Sequence, residues 1–239
     1  MKRFVIFQDL EQVSYKEAWQ YQQKLFDRAV EVKRHNRKHT EQLEQQHHLL
    51  FCEHPPVYTL GRKGKLDHLL LDEKGLADEG IEFFKINRGG DITYHGPGQL
   101  VAYPIFDLDH FFTDVHRYVR TLEEVVIRSL SDFGIEGQRE KGYTGVWLAE
   151  TDNKPKRKIC AIGVHLSRWV SMHGFALNVN SNLSHFNHIV PCGIAAEDKT
   201  VTSMEKELGR EVNMNEVKAA VKEQFSTLFE LEYATTESQ

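Results

Sequence analysis

The sequence has few cysteines and no long apolar run. Three cysteines among 239 residues are too few and too scattered for a disulfide framework, so we expect free thiols in a reducing compartment. No apolar run approaches the roughly 18 residues that span a bilayer. Residues 4–7 give only four consecutive apolar positions near the N-terminus, whereas a secretory signal needs roughly 7–15. We therefore expect a cytoplasmic protein with no membrane partner.

Common metal and phosphate motifs are absent as well. The sequence contains no Gly-x-x-x-x-Gly-Lys-Ser/Thr loop, no His-Glu-x-x-His and no Cys-x-x-Cys. His35 and His39 have helical spacing, but the run of cations around them would repel a metal ion. The net charge of −5 argues against electrostatic binding of nucleic acid by the protein surface as a whole. We therefore predict no metal site and no nucleic-acid partner.

Apolar periodicity predicts helices and strands that are interleaved without regular alternation. The predicted helices cover residues 14–46, 113–133, 200–208 and 214–230, and the first begins with a Ser14–Glu17 capping box. The predicted strands cover residues 49–52, 57–60, 82–86, 100–106, 144–149, 158–165 and 170–179. Two clusters of consecutive strands predict an α+β domain, with helices packed on a mixed or largely antiparallel sheet.

The most unusual segment is a glycine-rich stretch at residues 88–99, which reads Arg-Gly-Gly-Asp-Ile-Thr-Tyr-His-Gly-Pro-Gly-Gln. Glycine lets another backbone or a ligand approach closely, and the polar residues between the glycines suit a pocket wall. A tight hairpin with polar turn residues is the alternative.

Two side chains could carry chemistry. Lys158 opens an otherwise apolar strand, and an ammonium at the edge of a desolvated pocket becomes a proton carrier near neutral pH. The alternative is a strand-end lysine that reaches solvent. Cys192 lies in a Pro-Cys-Gly turn, where Lys158 or His173 could activate its thiol. Cys52 and Cys160 lie inside apolar runs and are better explained by packing.

A basic run at residues 154–158 carries four positive charges on an otherwise acidic chain. It has two possible interpretations. One is a solvated hairpin tip, and the other is a local docking patch for an acidic partner.

Several of these segments together resemble the lipoyl(octanoyl) transferase family. The motifs are Glu-His-Pro-Pro-Val-Tyr-Thr-Leu-Gly at residues 53–61, the glycine-rich segment, Lys-Ile-Cys-Ala-Ile-Gly at 158–163, His-Gly-Phe-Ala-Leu-Asn-Val at 173–179 and Pro-Cys-Gly at 191–193. The resemblance covers about residues 49–208, and the order of the motifs makes it specific.

The resemblance implies a fold and a set of roles. The fold would be the catalytic domain shared with lipoate ligases and biotin protein ligases. Cys192 would accept an octanoyl group as a thioester, and Lys158 would lower the pKa of its thiol and shuttle the proton. The substrate pocket would be lined by Arg88, Gly89, Gly90, Asp91, Ile92, Thr93, Tyr94, His95, Ala161, Ile162, Gly163, Gly174, Phe175 and Ala176.

The resemblance also implies partners. The donor would be octanoyl-acyl carrier protein, and the acceptors would be lipoyl domains of 2-oxoacid dehydrogenase E2 subunits and the glycine cleavage H protein. No cofactor is expected, because a thioester is already activated. We expect one catalytic domain over residues 1–239, with a helical extension at 1–46, the family-like core at 49–208 and a C-terminal helix at 209–239. Two alternatives remain open: an ATP-dependent lipoate or biotin ligase that needs no cysteine, and a non-catalytic protein that binds the acyl carrier.

Overall fold

An eight-stranded mixed sheet forms the centre of the protein. The computed structural model describes residues 3–190 and 199–234. The strands of this sheet are β1 (Arg3–Gln12), β2 (His48–Glu53), β6 (Gln99–Ile105), β7 (Val146–Leu148), β8 (Lys156–Ser167), β9 (Val170–Asn178), β10 (Lys199–Val201) and β11 (Leu231–Tyr233). Their order is β10-β8-β9-β6-β2-β1-β11, and β7 pairs with β8. A smaller sheet contains β4 (Glu82–Lys85), β3 (Val57–Leu60) and β5 (Ile92–His95), in the order β4-β3-β5.

Helices cover both faces of the large sheet. Helices α3 (Val115–Ser131) and α5 (Met214–Phe229) pack on one face, and α1 (Tyr15–Asn36) packs on the other. The short helices α2 (Glu73–Asp78) and α4 (Met204–Leu208) lie in connections. Residues 49–52 of β2 are all apolar because both faces of the strand are covered. Leu49 and Phe51 enter the core under α3 and α5, whereas Leu50 and Cys52 enter the core under α1. The predicted α+β class with a mixed sheet is confirmed.

The N-terminal part differs from the helical extension predicted over residues 1–46. Residues Arg3–Gln12 form β1, which pairs in parallel with both β2 and β11. Helix α1 begins after Ser14, whose hydroxyl accepts the backbone N–H of Glu17 as the capping box predicts. The helix ends at Asn36 rather than at residue 46. Residues 37–46 are almost entirely polar, so a longer helix would have no apolar face to bury.

The C-terminal helix predicted over residues 209–239 is also shorter than expected. Helix α5 ends at Phe229, where Glu230 takes a left-handed conformation with φ of 51°. The chain then adds β11 beside β1 at the edge of the large sheet. A further difference is β5, which lies inside the glycine-rich segment and pairs antiparallel with β3. These short strands depend on partners far along the chain, and local periodicity does not report such partners.

The basic run before and within β8 is held by intramolecular ion pairs. Lys154 and Arg157 both pair with Glu207 of α4, and Lys156 pairs with Glu140. Arg157 also donates to the carbonyl oxygen of Ala149 at 2.6 Å. The hypothesis of an open docking patch is therefore not supported, because these charges fasten the start of β8 to its neighbours.

The Glu207 ion pairs generate a prediction about stability. Burial alone would raise the pKa of Glu207, but hydrogen bonds from Arg157, Thr202 and Lys154 outweigh burial and hold the pKa at about 2. The pKa of Glu207 is therefore lower in the folded protein than in the unfolded chain. Because of this difference, the ionised carboxylate stabilises the fold above about pH 4.5, and this stabilisation is lost as the pH falls towards 2. We expect Glu207→Gln to lower the free energy of unfolding by about 2 kcal/mol at pH 7 and by much less at pH 3.

Urea unfolding at both pH values measures this difference. Glu205→Gln is the matched control, because Glu205 is exposed on the same helix and should be nearly neutral. Equal losses of stability in the two variants at pH 7, or a loss that is independent of pH, would contradict the prediction.

Candidate active site

A cavity of about 410 Å³ lies between the glycine-rich segment and strands β8 and β9. Small-molecule sites typically measure about 300–1,000 Å³. Three parts of the chain supply most of its wall: residues 88–93 with His95, residues 161–164 and residues 173–176. Lys158 lies on the wall as well. The three motif segments that are separate in the sequence therefore meet around one space.

Strands β8 and β9 bring two of the predicted motifs into register. Ala161 pairs with Ala176, and Gly163 pairs with Gly174, with Ile162 and Phe175 between them. A side chain at Gly163 would put its Cβ 2.8 Å from the carbonyl oxygen of Gly89. A Cβ at this position would displace backbone, so glycine is needed for the glycine-rich segment to approach β8.

The glycine-rich segment places a buried guanidinium on the cavity wall. Arg88 donates to the backbone and hydroxyl oxygens of Thr59 at 2.6 and 3.0 Å, and to the carbonyl oxygen of Gly89 at 2.9 Å. Burial lowers the pKa of Arg88. Asp91, also on the wall, pairs with the imidazole Nδ1 of His68 at 2.5 Å.

The prediction is wrong for one pocket residue, Tyr94. All other predicted pocket residues line the cavity. In β5, Thr93 and His95 face the cavity, whereas Tyr94 lies on the other side of the strand and packs against Tyr58 and Phe186. Side chains alternate along a strand, so Tyr94 points away from Thr93 and His95. Ile92 lies on the same face as Tyr94 but still reaches the cavity at the start of β5. This alternation could not be applied to a segment interpreted as a loop.

A chain of hydrogen bonds holds the polar end of the cavity. The ring Nδ1 of His95 donates to Gln99 Oε1 at 2.8 Å, and Gln99 Nε2 donates to Asn178 Oδ1 at 2.8 Å. Asn178 in turn donates to the carbonyl oxygen of Thr202 at 2.9 Å. Burial and the nearby charges of His54 and Arg88 lower the pKa of His95 to about 3. The imidazole is therefore neutral at physiological pH.

Helix α1 contributes residues to the site that the sequence analysis did not identify. Tyr15 lines the cavity and stacks on His95, with ring centroids 6.0 Å apart. Gln22 accepts the backbone N–H of His173 at 3.1 Å. His173 has a left-handed φ of 61°, a strained conformation for a residue with a side chain. Local sequence carries no signal for these contacts, because they depend on where α1 crosses the sheet.

Two of the three cysteines lie in the hydrophobic core, as the sequence analysis predicts for them. Cys52 and Cys160 are fully buried, and burial raises the pKa of both thiols, so packing explains them. Cys192 lies outside the described residues. Phe186, before residues 191–198, and Val201, after them, both line the cavity. Val190 donates its N–H to the carbonyl oxygen of His68, and Val201 lines the cavity and pairs with Lys158.

Two further features concern the described residues only. Within residues 3–190 and 199–234, no group of three or more His, Cys, Asp or Glu side chains could hold a metal ion. None of the helices in these same ranges is both long and apolar enough to cross a membrane.

Comparison with known proteins shows the family. Residues 14–226 match the lipoyl protein ligase A/B catalytic domain. An octanoyltransferase of Flavobacterium psychrophilum is 52% identical over 96% of this chain and 98% of its own, and one of Cytophaga hutchinsonii is 53% identical over 97% and 95%. The solved structure of a bipartite lipoate protein ligase from Thermoplasma acidophilum superimposes with a TM-score of 0.69 over 99% of this chain and 88% of its own, at 18% identity, and thus shares the fold. The chain therefore belongs to the lipoyl protein ligase A/B catalytic-domain family and, within that family, to the octanoyltransferases, which are acyltransferase enzymes.

Proposed function

We propose that the protein moves an octanoyl group from octanoyl-acyl carrier protein to a lysine of lipoyl domains, through a thioester on Cys192. The acceptors would be lipoyl domains of 2-oxoacid dehydrogenase E2 subunits and the glycine cleavage H protein. The observation that carries the proposal is the cavity, whose wall combines apolar strand residues with the amine of Lys158. The octanoyltransferase relatives, similar over nearly the whole chain, support the same reaction.

The proposed reaction has two steps. The thiol of Cys192 gives its proton to Lys158 and attacks the carbonyl carbon of the donor thioester, and Lys158 returns the proton to the departing carrier thiol. This exchange of one thioester for another is nearly neutral in bond energy. The acceptor lysine amine then attacks the new thioester, which forms an amide and releases the Cys192 thiol. A covalent intermediate lets two protein substrates use one surface in turn.

The cavity supports Lys158 over His173 as the proton carrier. Both residues line the cavity. Burial, together with the charges of Arg88, His165 and Arg62, lowers the pKa of His173 to about 3, so its imidazole is uncharged at neutral pH. The His173 ring also donates to Asn87 at 2.8 Å and is occupied in a structural contact. A neutral imidazole cannot stabilise a thiolate as a cation does.

Selection of the acyl group would follow from the apolar part of the wall. Val101, Ile162 and Phe175 line the cavity from the large sheet. Burial of each methylene is worth about 0.8 kcal/mol, so an eight-carbon chain gains several kcal/mol over a short one.

The first prediction on function concerns the covalent octanoyl intermediate on Cys192. After mixing with octanoyl-acyl carrier protein, intact mass spectrometry should show one added octanoyl group, and peptide mapping should locate it on Cys192. Cys52 and Cys160 are internal controls, because both are fully buried. Addition of a lipoyl domain should remove the group from the enzyme and transfer it to the acceptor.

Cys192→Ala should give no adduct and no transfer while unfolding as the parent protein does. Full activity of Cys192→Ala with free octanoate and ATP would favour a ligase instead. Tight binding of the carrier without any adduct on the parent protein would favour a non-catalytic binding protein.

The second prediction on function concerns the proton transfer assigned to Lys158. Lys158→Ala should slow transfer at pH 7 by about 10²-fold or more, the usual range for loss of a general acid–base group. Lys156→Ala is the matched control, because Lys156 lies two residues earlier on β8 and pairs with Glu140. Steady-state rates between pH 6 and pH 9 measure the effect. An unchanged pH–rate profile in Lys158→Ala would remove this residue from the mechanism.

A further inference from the structure

The amine of Lys158 lies over an aromatic ring. Lys158 Nζ is 4.6 Å from the centroid of the Trp147 ring. An ammonium within about 6 Å of such a face is attracted to it, and tryptophan gives the strongest effect among aromatic side chains. Trp147 is fully buried and Lys158 is half-buried, so the ring side of this contact is shielded from water. The indole is thus one of the partners of Lys158.

The backbone around Trp147 fixes this contact. Trp147 and Lys158 are directly paired between β7 and β8, and the register shifts beside them because Ile159 is an extra residue on β8. Bulges of this kind re-aim side chains next to active sites. On its other side, Trp147 exchanges two backbone hydrogen bonds with Gln138, at 2.8 and 2.9 Å. The backbone of Trp147 is therefore paired on both sides, which fixes the point from which the ring extends.

The indole nitrogen adds a second observation. Trp147 Nε1 is buried and has no hydrogen-bond partner among the described residues. A buried tryptophan usually finds a partner for this N–H, and a phenylalanine or leucine at this position would carry no donor to leave unsatisfied. The use of tryptophan here makes sense if the face of the ring, rather than its nitrogen, is what the site requires.

Several ionisable groups surround the contact. Cys160 lies on the same strand as Lys158, Glu123 approaches from α3, and Tyr143 packs against Trp147 at 5.7 Å. Lys199 on β10 lies over the Tyr143 ring at 5.3 Å. Because these groups are the same in every variant below, a change in the ionisation of Lys158 reports on the ring.

We propose that Trp147 is a positioning residue for Lys158, whose indole face holds the ammonium form of that amine at the cavity wall. This inference rests on the proposed function for its catalytic meaning, but the contact itself can be tested without turnover. By favouring the protonated amine, the ring would favour the state in which Lys158 has taken the proton from the nucleophile. Trp147 would thereby act on the reaction through Lys158 and not by touching substrate.

Two variants separate the face of the ring from its volume. Trp147→Phe and Trp147→Leu both leave space where the indole was, but only phenylalanine keeps an aromatic face. Competitive acetylation with acetic anhydride across a pH series, read by mass spectrometry on the peptide that carries Lys158, measures the pKa of this amine in the full chain. Lys65 is exposed and serves as the internal reference in the same digest.

We expect the Lys158 pKa to fall by about half a unit to one unit in Trp147→Leu, and by less in Trp147→Phe. The kcat of octanoyl transfer should fall in both variants, and it should fall further in Trp147→Leu than in Trp147→Phe. The KM for the donor should not change. Equal pKa values for Lys158 in the two variants and the parent would overturn the proposal and leave Trp147 as a packing residue.

A second measurement covers the case in which Trp147→Leu does not fold. Incorporation of fluorinated tryptophan into the parent chain weakens the negative face of the ring with little change in size. It should lower the Lys158 pKa, and an unchanged value overturns the proposal. Trp147→Phe, which retains Trp19 and Trp169, is the control and should not respond to fluorination.

Failure of the proposed function gives a different pattern of results. In that pattern, Lys158→Ala transfers octanoyl at the parental rate while the Lys158 pKa still differs between Trp147→Leu and Trp147→Phe. That result would support the ring contact and would contradict only the catalytic role of Lys158.

Discussion

The close approach of the glycine-rich segment to strand β8 is the constraint on which the site depends. Gly89 donates its N–H to the carbonyl oxygen of Val164 at 2.9 Å, and a Cβ at Gly163 would meet the carbonyl oxygen of Gly89. This contact joins the small sheet to the large one and closes one side of the cavity. Arg88 of the glycine-rich segment and Lys158 of β8 both line the cavity that lies between these two parts of the chain. The shape of the site therefore depends on this packing of backbone against backbone.

Burial and hydrogen bonding determine which side chains on the cavity wall are charged. His95 and His173 are kept neutral, because burial and neighbouring cations lower the pKa of both. The protein therefore places several imidazoles around the cavity without adding positive charge there. The permanent cation Arg88 is held by oxygen atoms of Thr59 and Gly89. Lys158 also lies on the wall, and its amine lies against the face of Trp147.

The start of β8 shows how the same strand serves stability and chemistry. Lys154, Lys156 and Arg157 form ion pairs with Glu207 and Glu140, which attach this part of the chain to α4 and to the segment before β7. The extra residue Ile159 then shifts the register, and Lys158 comes to lie opposite Trp147. Charges that look like a docking patch in the sequence are thus part of the support for the site. A sequence pattern cannot distinguish these uses, because Glu207 lies 50 residues from Arg157.

Local sequence determined much of this protein. Strand and helix periodicity placed most elements of the large sheet, and the Ser14 capping box placed the start of α1. These two features succeed because each depends on residues within one turn or one strand. The family resemblance, rather than local periodicity, pointed to the motif segments, which supply more than half of the cavity wall. The tertiary structure alone decided that residues 3–12 and 231–233 are the last two strands on one side of the large sheet, that Tyr94 faces away from the cavity, that Tyr15 lines it, and that Trp147 contacts Lys158. In each of these cases the partner lies elsewhere in the chain, and the pairing is selected by packing and register rather than by local propensity.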